Sequence, residues 1–215
     1  MIYFISDLHG GKDTRSLEKY GKIRNDGDIL VILGDIGVKF NQGSEDNACF
    51  DRYFLDLKYP ILMIDGNHEN FDYLYSCPVE NEYGGAVHRL TDSIVHLCRG
   101  EIFNIEGKTF FVMGGCKSSQ KWKDIGLWWE DEEPTADEIA HARENLAACG
   151  NKVDYILTHK HRRTNADEND LTLEGLIEYI EKNVEYNHWY SGHWHAEAFP
   201  DKKHTIVYDN PIQLK

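Results

Sequence analysis

The chain has 215 residues, of which 41% are hydrophobic and 28% charged, a composition typical of a folded globular protein and not of a disordered one. Its 37 acidic and 23 basic residues give a formal net charge of -14, which disfavours broad binding to duplex nucleic acid or to an anionic membrane because phosphate is repelled. The apolar runs are far shorter than the roughly 18 residues that a membrane span needs. We expect one domain over residues 1–215.

The amino terminus and the cysteines favour a cytoplasmic location. Residues 1–7 reach a charge at Asp7 without any preceding basic residue, which is unlike a signal peptide. The five cysteines are scattered and form no C-x-x-C pair, so we expect reduced, buried thiols and neither a disulfide framework nor a zinc knuckle. They are Cys49, Cys77, Cys98, Cys116 and Cys149.

The first third of the chain predicts a parallel sheet. Ile2–Ile5 and residues 28–33 and 60–65 are apolar runs of strand length. A helix is predicted over residues 45–57, with Ser44 as its cap. The apolar side of this helix comprises Phe50, Tyr53, Phe54 and Leu57. Because strand, helix and strand alternate, we expect a largely parallel arrangement.

Four short strands are predicted in the middle of the chain, at residues 87–90, 93–97, 101–105 and 109–113. Turn signals at Arg99-Gly100 and Glu106-Gly107 separate them. This spacing is typical of antiparallel hairpins.

Helices and strands alternate again in the last third. A helix is predicted over residues 135–149, because Thr135 and Glu138 form a capping box and Gly150 is placed to end it. Its inward stripe is Ile139, Ala142, Leu146 and Cys149. A second helix is indicated by the stripe Leu173, Leu176, Ile177, Ile180 and Val184, and strands are predicted at residues 153–157, 188–191 and 205–208.

Polar side chains follow five of these strands, in the segments Ser6-Asp7-Leu8-His9, Gly34-Asp35, Gly66-Asn67-His68-Glu69, Thr158-His159 and Gly192-His193-Trp194-His195. The carboxyl ends of parallel strands share one edge of a sheet, and ligands bind there. Asp7 with His9, and His193 with His195, are i, i+2 pairs, which in extended backbone point to the same side. We therefore expect one site that all five segments build.

The donor types in these segments favour metal binding. Imidazole and carboxylate donors suit Mn, Fe, Zn or Co better than Mg or Ca. Seven such groups exceed the needs of one tetrahedral ion but fit two ions that share a carboxylate. Without cations, so many carboxylates and imidazoles in one cleft would be costly to hold together.

The order D-x-H, G-D, G-N-H-E, H and G-H-x-H, from Asp7 to His195, resembles the calcineurin-like metallophosphoesterase family. The resemblance implies an α/β fold, a four-layer α-β-β-α sandwich of mixed sheets, with the site at the strand ends. It also implies that two divalent metal ions are the cofactors. Mn is the first expectation, with Fe, Zn, Co or Ni as alternatives.

The resemblance assigns a role to each matching residue. Asp7, His9 and His195 would hold the first metal, and Asn67, His159 and His193 the second. Asp35 would bridge the two metals, and His68 would lie over the scissile phosphate without binding metal. Asp35 and His68 are thus the expected catalytic residues, acting with a hydroxide that the metals activate.

Four further residues are candidates for substrate binding. Arg162 and Arg163 belong to a basic cluster that would suit a phosphate, with Lys39 as a further cation. Trp128 lies in the segment 116–134, whose aromatic and lysine side chains would suit stacking on a base or sugar ring. The remaining histidines have no ligand pattern around them, and we expect surface or packing roles for His88, His96, His141, His188 and His204.

The resulting hypothesis is a two-metal phosphoester hydrolase, either a phosphatase or a phosphodiesterase. Its substrate would be a phosphorylated small molecule, a nucleotide or a phosphopeptide. One alternative is a non-catalytic interaction scaffold that keeps the fold and the metals. Another is a module with a single metal ion, which metal counting would distinguish.

Overall fold

The computed structural model describes residues 1–40, 54, 57–161 and 166–215, which form two mixed β-sheets and the helices that cover them. The first sheet contains β1 (Ile2–Ile5), β2 (Ile29–Leu33), β3 (Ile61–Ile64), β4 (Val79–Glu82), β5 (Gly85–Arg89), β6 (Ile94–Leu97) and β12 (Ile212–Gln213). Its order is β12-β1-β2-β3-β6-β5-β4. Strands β1, β2, β3 and β6 run parallel, and β12, β5 and β4 pair antiparallel at the two sides.

The second sheet contains β7 (Ile102–Ile105), β8 (Lys108–Met113), β9 (Tyr155–Thr158), β10 (His188–Ser191) and β11 (His204–Ile206), in the order β11-β10-β9-β8-β7. Strands β8 to β11 run parallel, and β7 pairs antiparallel with β8. The helices are α1 (Arg15–Ile23), α2 (Phe71–Ser76), α3 (Gln120–Asp124), α4 (Ala136–Ala148) and α5 (Leu173–Asn183).

The core has three apolar clusters that separate four layers. The central cluster lies between the sheets, where Phe4 of β1 stacks on Tyr190 of β10 with ring centroids 4.2 Å apart. A second cluster joins Tyr20 of α1 to the outer face of the first sheet, and a third joins α4 and α5 to the outer face of the second. The four-layer α-β-β-α sandwich is therefore confirmed, whereas the single-domain boundary stays a prediction.

The predicted hairpins are partly correct. Strands β5 and β6 pair antiparallel, as do β7 and β8. However, β6 and β7 belong to different sheets, and β6 runs parallel to β3. All four residues of β6 are buried, and a strand that is buried on both faces does not indicate from its own sequence which sheet it joins.

Several helices and strands of the structure are not predicted from the sequence. Helix α1 buries only Ser16, Leu17 and Tyr20, β4 is almost wholly exposed, and β12 has two residues, so each has a weak apolar pattern. The short helices α2 and α3 were also missed. The predicted helix 45–57 lies outside the described residues except for Phe54, which is helical and buried, and Leu57, which is not helical.

The predicted helix at 135–149 corresponds to α4, and its capping box is present. The Glu138 amide donates to Thr135 Oγ1 at 3.2 Å, and the Thr135 amide donates to the Glu138 carboxylate at 2.7 Å. The prediction that Cys149 faces inward was wrong, because it follows the last helical residue and is exposed. Cys98 is only half-buried, so the expectation of buried thiols holds for Cys77 and Cys116 alone among the four described cysteines.

Within the described part of the chain, no helix combines the length and the apolar character that crossing a bilayer requires.

Candidate metal centre

The loops that follow β1, β2, β9 and β10 lie side by side. The Asp7 amide donates to the carbonyl of Gly34 at 3.1 Å, and the His9 amide donates to that of Asp35 at 2.8 Å. Across the two sheets, the His193 amide donates to Asp7 Oδ2 at 3.0 Å. These bonds bring the carboxyl ends of strands from both sheets to one place.

The first group of donors comprises Asp7, His9, Asp35 and His195, each of which offers one atom within 4.8 Å of the others. The Nε2 atoms of His9 and His195 are 3.0 Å apart. His195 Nε2 lies 3.4 Å from Asp7 Oδ1, and His9 Nε2 lies 3.9 Å from Asp35 Oδ2. Two carboxylates and two imidazoles therefore converge.

A second group of possible metal ligands, His159 and His193, adjoins the first at Asp35. The Oδ2 atom of Asp35 is 3.5 Å from His159 Nε2, and His159 Nε2 is 3.3 Å from His193 Nδ1. The same carboxylate oxygen thus faces an imidazole of each group. This is the position expected of a group shared by two ions.

Neighbouring groups orient the donor atoms. Asn67 donates from Nδ2 to Ser118 Oγ at 3.0 Å, and its buried Oδ1 accepts no hydrogen bond. His159 donates from Nδ1 to the Leu33 carbonyl at 2.7 Å, which turns Nε2 toward Asp35 and His193. Asp7 Oδ1 is also buried without a hydrogen bond. Since an unsatisfied buried polar atom costs about 1–3 kcal/mol, these atoms fit a site for divalent cations.

The sequence argument about paired side chains was wrong in its geometry. Asp7, His9, His193 and His195 have φ values of 59°, 46°, 72° and 48°, in the left-handed region, and Asp35 has 52°. The i, i+2 pairs are therefore in tight turns and not in extended backbone. Such conformations are costly for residues with a side chain and concentrate at functional sites.

Two glycines make room for the donors. A Cβ atom on Gly66 would overlap the Asp35 carboxylate, and one on Gly34 would overlap the His159 ring. Backbone therefore packs directly against both side chains. Any other residue at these positions would displace a donor.

The buried charges compensate one another. Burial opposes the charged form of His159, but the adjacent Asp35 outweighs it and raises the pKa of His159 to about 10. Burial likewise opposes the charged form of Asp35, yet His159 holds the pKa of that carboxyl well below its usual range. Burial raises the pKa of Asp7 and lowers that of His9. Asp35 is therefore compensated by positive charge on His159, a charge that a divalent cation bound beside it would replace.

His68 lies beside the donors. Its backbone amide donates to Asp35 Oδ1 at 2.8 Å, and its buried Nδ1 has no hydrogen-bond partner. Burial lowers the pKa of His68 to about 4, so the ring is neutral at pH 7. The neighbouring acidic residues are engaged elsewhere: Asp65 with Arg99, and Glu69 with backbone amides of the loop after β2.

A cavity of about 300 Å³ opens next to these side chains. In the described ranges its lining comprises His9, Gly10, Lys12, Gly37, Phe40, His68, Trp122, Leu127 and His195. The Phe40 ring lies 5.0 Å from that of His68 and 5.8 Å from that of Trp122. No pattern in the sequence marks Phe40, because its position at the cavity depends on the placement of the segment that carries Trp122.

The predicted substrate contacts remain predictions. Arg162 and Arg163 lie outside the described residues. The Lys39 ammonium lies 5.7 Å from the Tyr73 ring centre, and Lys123 lies 3.9 Å from that of Trp128. Neither Lys39 nor Trp128 is among the described residues that line the cavity.

Comparisons with known proteins agree with this geometry. The profile of the family described as calcineurin-like phosphoesterase matches residues 1–197. A protein of Fibrobacter succinogenes, named a probable cyclic nucleotide phosphodiesterase, is 24% identical over 226 residues, which cover 96% of this chain and 77% of that protein. The chain therefore belongs to the calcineurin-like phosphoesterase family and is a metal-dependent phosphoester hydrolase.

Proposed function

We propose that the chain is a two-metal phosphodiesterase whose substrate carries a nucleoside-like ring. The observation that carries the two-metal assignment is the position of Asp35, whose Oδ2 atom faces both donor groups. Asp7, His9 and His195 would hold one ion, and Asn67, His159 and His193 the other. Nitrogen and oxygen donors of this kind suit Mn²⁺, which we propose as the metal.

The bound ions would neutralise the phosphoryl oxygens and lower the pKa of a water molecule so that it becomes a nucleophile near neutral pH. Asp35 would be the ligand that both ions share. His68 borders the cavity as a neutral imidazole and donates a hydrogen bond to a phosphoryl or leaving-group oxygen.

The cavity supports the choice of a nucleotide-like diester. Phe40 and Trp122 line it next to His68, so an ester group that extends from the phosphate meets aromatic rings. Its volume lies at the small end of the range for ligand pockets, which suits a single nucleotide. The name of the Fibrobacter succinogenes protein supports the same class of substrate.

An assay of metal-free protein with Mn²⁺ added back tests this function. Bis-nitrophenyl phosphate, nitrophenyl phosphate and the 2′,3′- and 3′,5′-cyclic nucleotides are compared as substrates. We expect both the artificial diester and a cyclic nucleotide to be hydrolysed faster than the monoester. Hydrolysis of the monoester alone would contradict the diester assignment, and metal binding without hydrolysis of any ester would favour the interaction scaffold.

The role of His68 is tested by His68→Asn. We expect this variant to keep its bound Mn²⁺, and we expect its kcat to fall by a factor of about 10² to 10⁴. This range is typical of the loss of an acid–base or hydrogen-bonding group. Elemental analysis provides the metal count on the same samples. Unchanged turnover would remove His68 from the mechanism.

A further inference from the structure

A second set of metal-ligating side chains lies on the first sheet, outside the candidate metal centre. His88 of β5 faces His96 of β6 directly in the antiparallel register. Cys98 follows two residues after His96, and its amide continues the ladder by donating to the Ala86 carbonyl at 3.1 Å. Because alternate residues of a strand point to the same face, His96 and Cys98 both lie on the side of His88.

The three donor atoms are close together. The Nδ1 atoms of His88 and His96 are 3.1 Å apart, and Cys98 Sγ lies 3.5 Å from His88 Nδ1. Each of the three is within 4.8 Å of the other two. A tetrahedral Zn²⁺ with its usual bond lengths separates two nitrogen ligands by about 3.4 Å, and a nitrogen from a sulfur by about 3.6 Å. The N–N distance in the protein is about 0.3 Å shorter than this and the N–S distance about 0.1 Å shorter, so a small outward shift of the side chains would admit the ion.

A carboxylate supports the buried ligand from behind. His96 donates from Nε2 to Asp65 Oδ1 at 2.9 Å, and its Nδ1 atom faces His88. The other oxygen of Asp65 accepts from Arg99 at 2.6 and 2.9 Å, so the carboxylate itself is fixed. Metal-binding histidines are usually oriented in this way by a carboxylate on the opposite nitrogen.

The cluster is also accessible. His96 is buried, whereas His88 and Cys98 are half-buried, so an ion can reach the donors from one side. Three protein ligands leave the fourth tetrahedral position for a water molecule or an external ligand.

We propose that His88, His96 and Cys98 bind one Zn²⁺ ion at a site separate from the candidate metal centre. Binding forms two Zn–N bonds and one Zn–S bond and releases the thiol proton of Cys98 to solvent. The competing interpretation is a hydrogen bond between the two imidazoles, in which Cys98 takes no part.

Titration of reduced, metal-free protein with Co²⁺ distinguishes these interpretations, because a thiolate bound to Co²⁺ gives charge-transfer absorption in the near ultraviolet. We expect this absorption in the wild type and its loss in both Cys98→Ser and His88→Asn. Cys149→Ser, which changes an exposed cysteine, is the matched control and should keep it. Cys116→Ser should also keep it, which excludes the thiol that lies 3.5 Å from His193 Nε2 as its source.

Elemental analysis after loading with Zn²⁺ gives a second readout. The wild type should hold one more equivalent of zinc than Cys98→Ser, and thermal unfolding checks that each variant is folded. Asp35→Asn should keep the cobalt–thiolate absorption, so failure at the candidate metal centre is distinguishable from failure here. Equal zinc content in wild type and Cys98→Ser, or absorption that survives Cys98→Ser, would overturn the proposal and leave an imidazole hydrogen bond.

Discussion

The Nε2 atoms of His9 and His195 lie 3.0 Å apart, although 186 positions separate the two residues in the sequence. The carboxylate of Asp7 lies 3.4 Å from His195, so negative charge is adjacent to both rings. Two ring nitrogens that point at one another beside a carboxylate are suited to one shared cation. The first and last segments of the family motif therefore meet at one place in the fold.

The shared position of Asp35 predicts that both ions depend on it. In Asp35→Asn an amide replaces the carboxylate, so the negative charge between the donor groups is lost. We expect both Mn²⁺ ions to be lost on dialysis, as measured by elemental analysis. Asp26→Asn, a change at a fully exposed carboxylate, is the control and should keep both. Retention of two ions by Asp35→Asn would contradict the bridging role.

Ser118 is predicted to act through Asn67. Its hydroxyl accepts from the Asn67 amide nitrogen and leaves Oδ1 available to the proposed metal ion, whereas Ser118→Ala should free the amide to rotate. We expect the affinity for one of the two ions to fall about 10- to 100-fold, the usual effect of losing an orienting partner. Calorimetric titration with Mn²⁺ measures this affinity. The control is Ser119→Ala, a change at the exposed serine next to Ser118. Equal affinities in the two variants would show that Ser118 does not orient the ligand.

Trp122 and Trp128, two of the three tryptophans in the segment 116–134, should differ in their effect on substrate binding. Trp122 lines the cavity, whereas Trp128 packs against Lys123. Stacking on a base contributes about 1–3 kcal/mol, so Trp122→Ala should raise KM for a cyclic nucleotide at least about fivefold. Trp128→Ala should leave KM near its wild-type value. A larger rise in KM for Trp128→Ala would restore Trp128 as the substrate contact.

Stability should depend on pH through His204. Burial opposes its charged form, but the hydrogen bonds that the ring donates to the carboxylates of Glu181 and Asp201 outweigh this effect and raise the pKa of His204. A histidine whose pKa is raised on folding contributes its full stabilisation below the pKa of the unfolded state, about 6.5. This contribution is lost as the pH rises through the pKa of the folded state. The pKa of Glu181 is lowered, chiefly by hydrogen bonds with His161 and His204. The contribution of Glu181 to the free energy of unfolding is therefore lost progressively as the pH falls below about 4.5.

The difference in free energy of unfolding between wild type and His204→Gln should therefore be largest between about pH 4.5 and 6.5. Urea denaturation at pH 5.5 and at pH 9 measures this difference. A difference that is constant with pH, or larger at the alkaline value, would show that His204 is not charged in the folded protein.

Much of the candidate site follows from sequence order alone. Short apolar runs end in Asp7, Asp35 and Asn67, and parallel strands must bring such ends to one edge of a sheet. The capping box at Thr135 and Glu138 is equally local, because its partners are three residues apart. These features depend on neighbours within a turn of helix or at the end of one strand.

The tertiary structure alone decided how distant elements pair. His88 and His96 meet because β5 and β6 adopt one particular register, and a shift by one residue would turn their side chains to opposite faces. Phe40 and Trp122 share a cavity only because the loop that follows β2 packs against helix α3, which lies far from it in the sequence. Strand register and loop packing are set by burial summed over the whole core, so no local pattern in the sequence contains them.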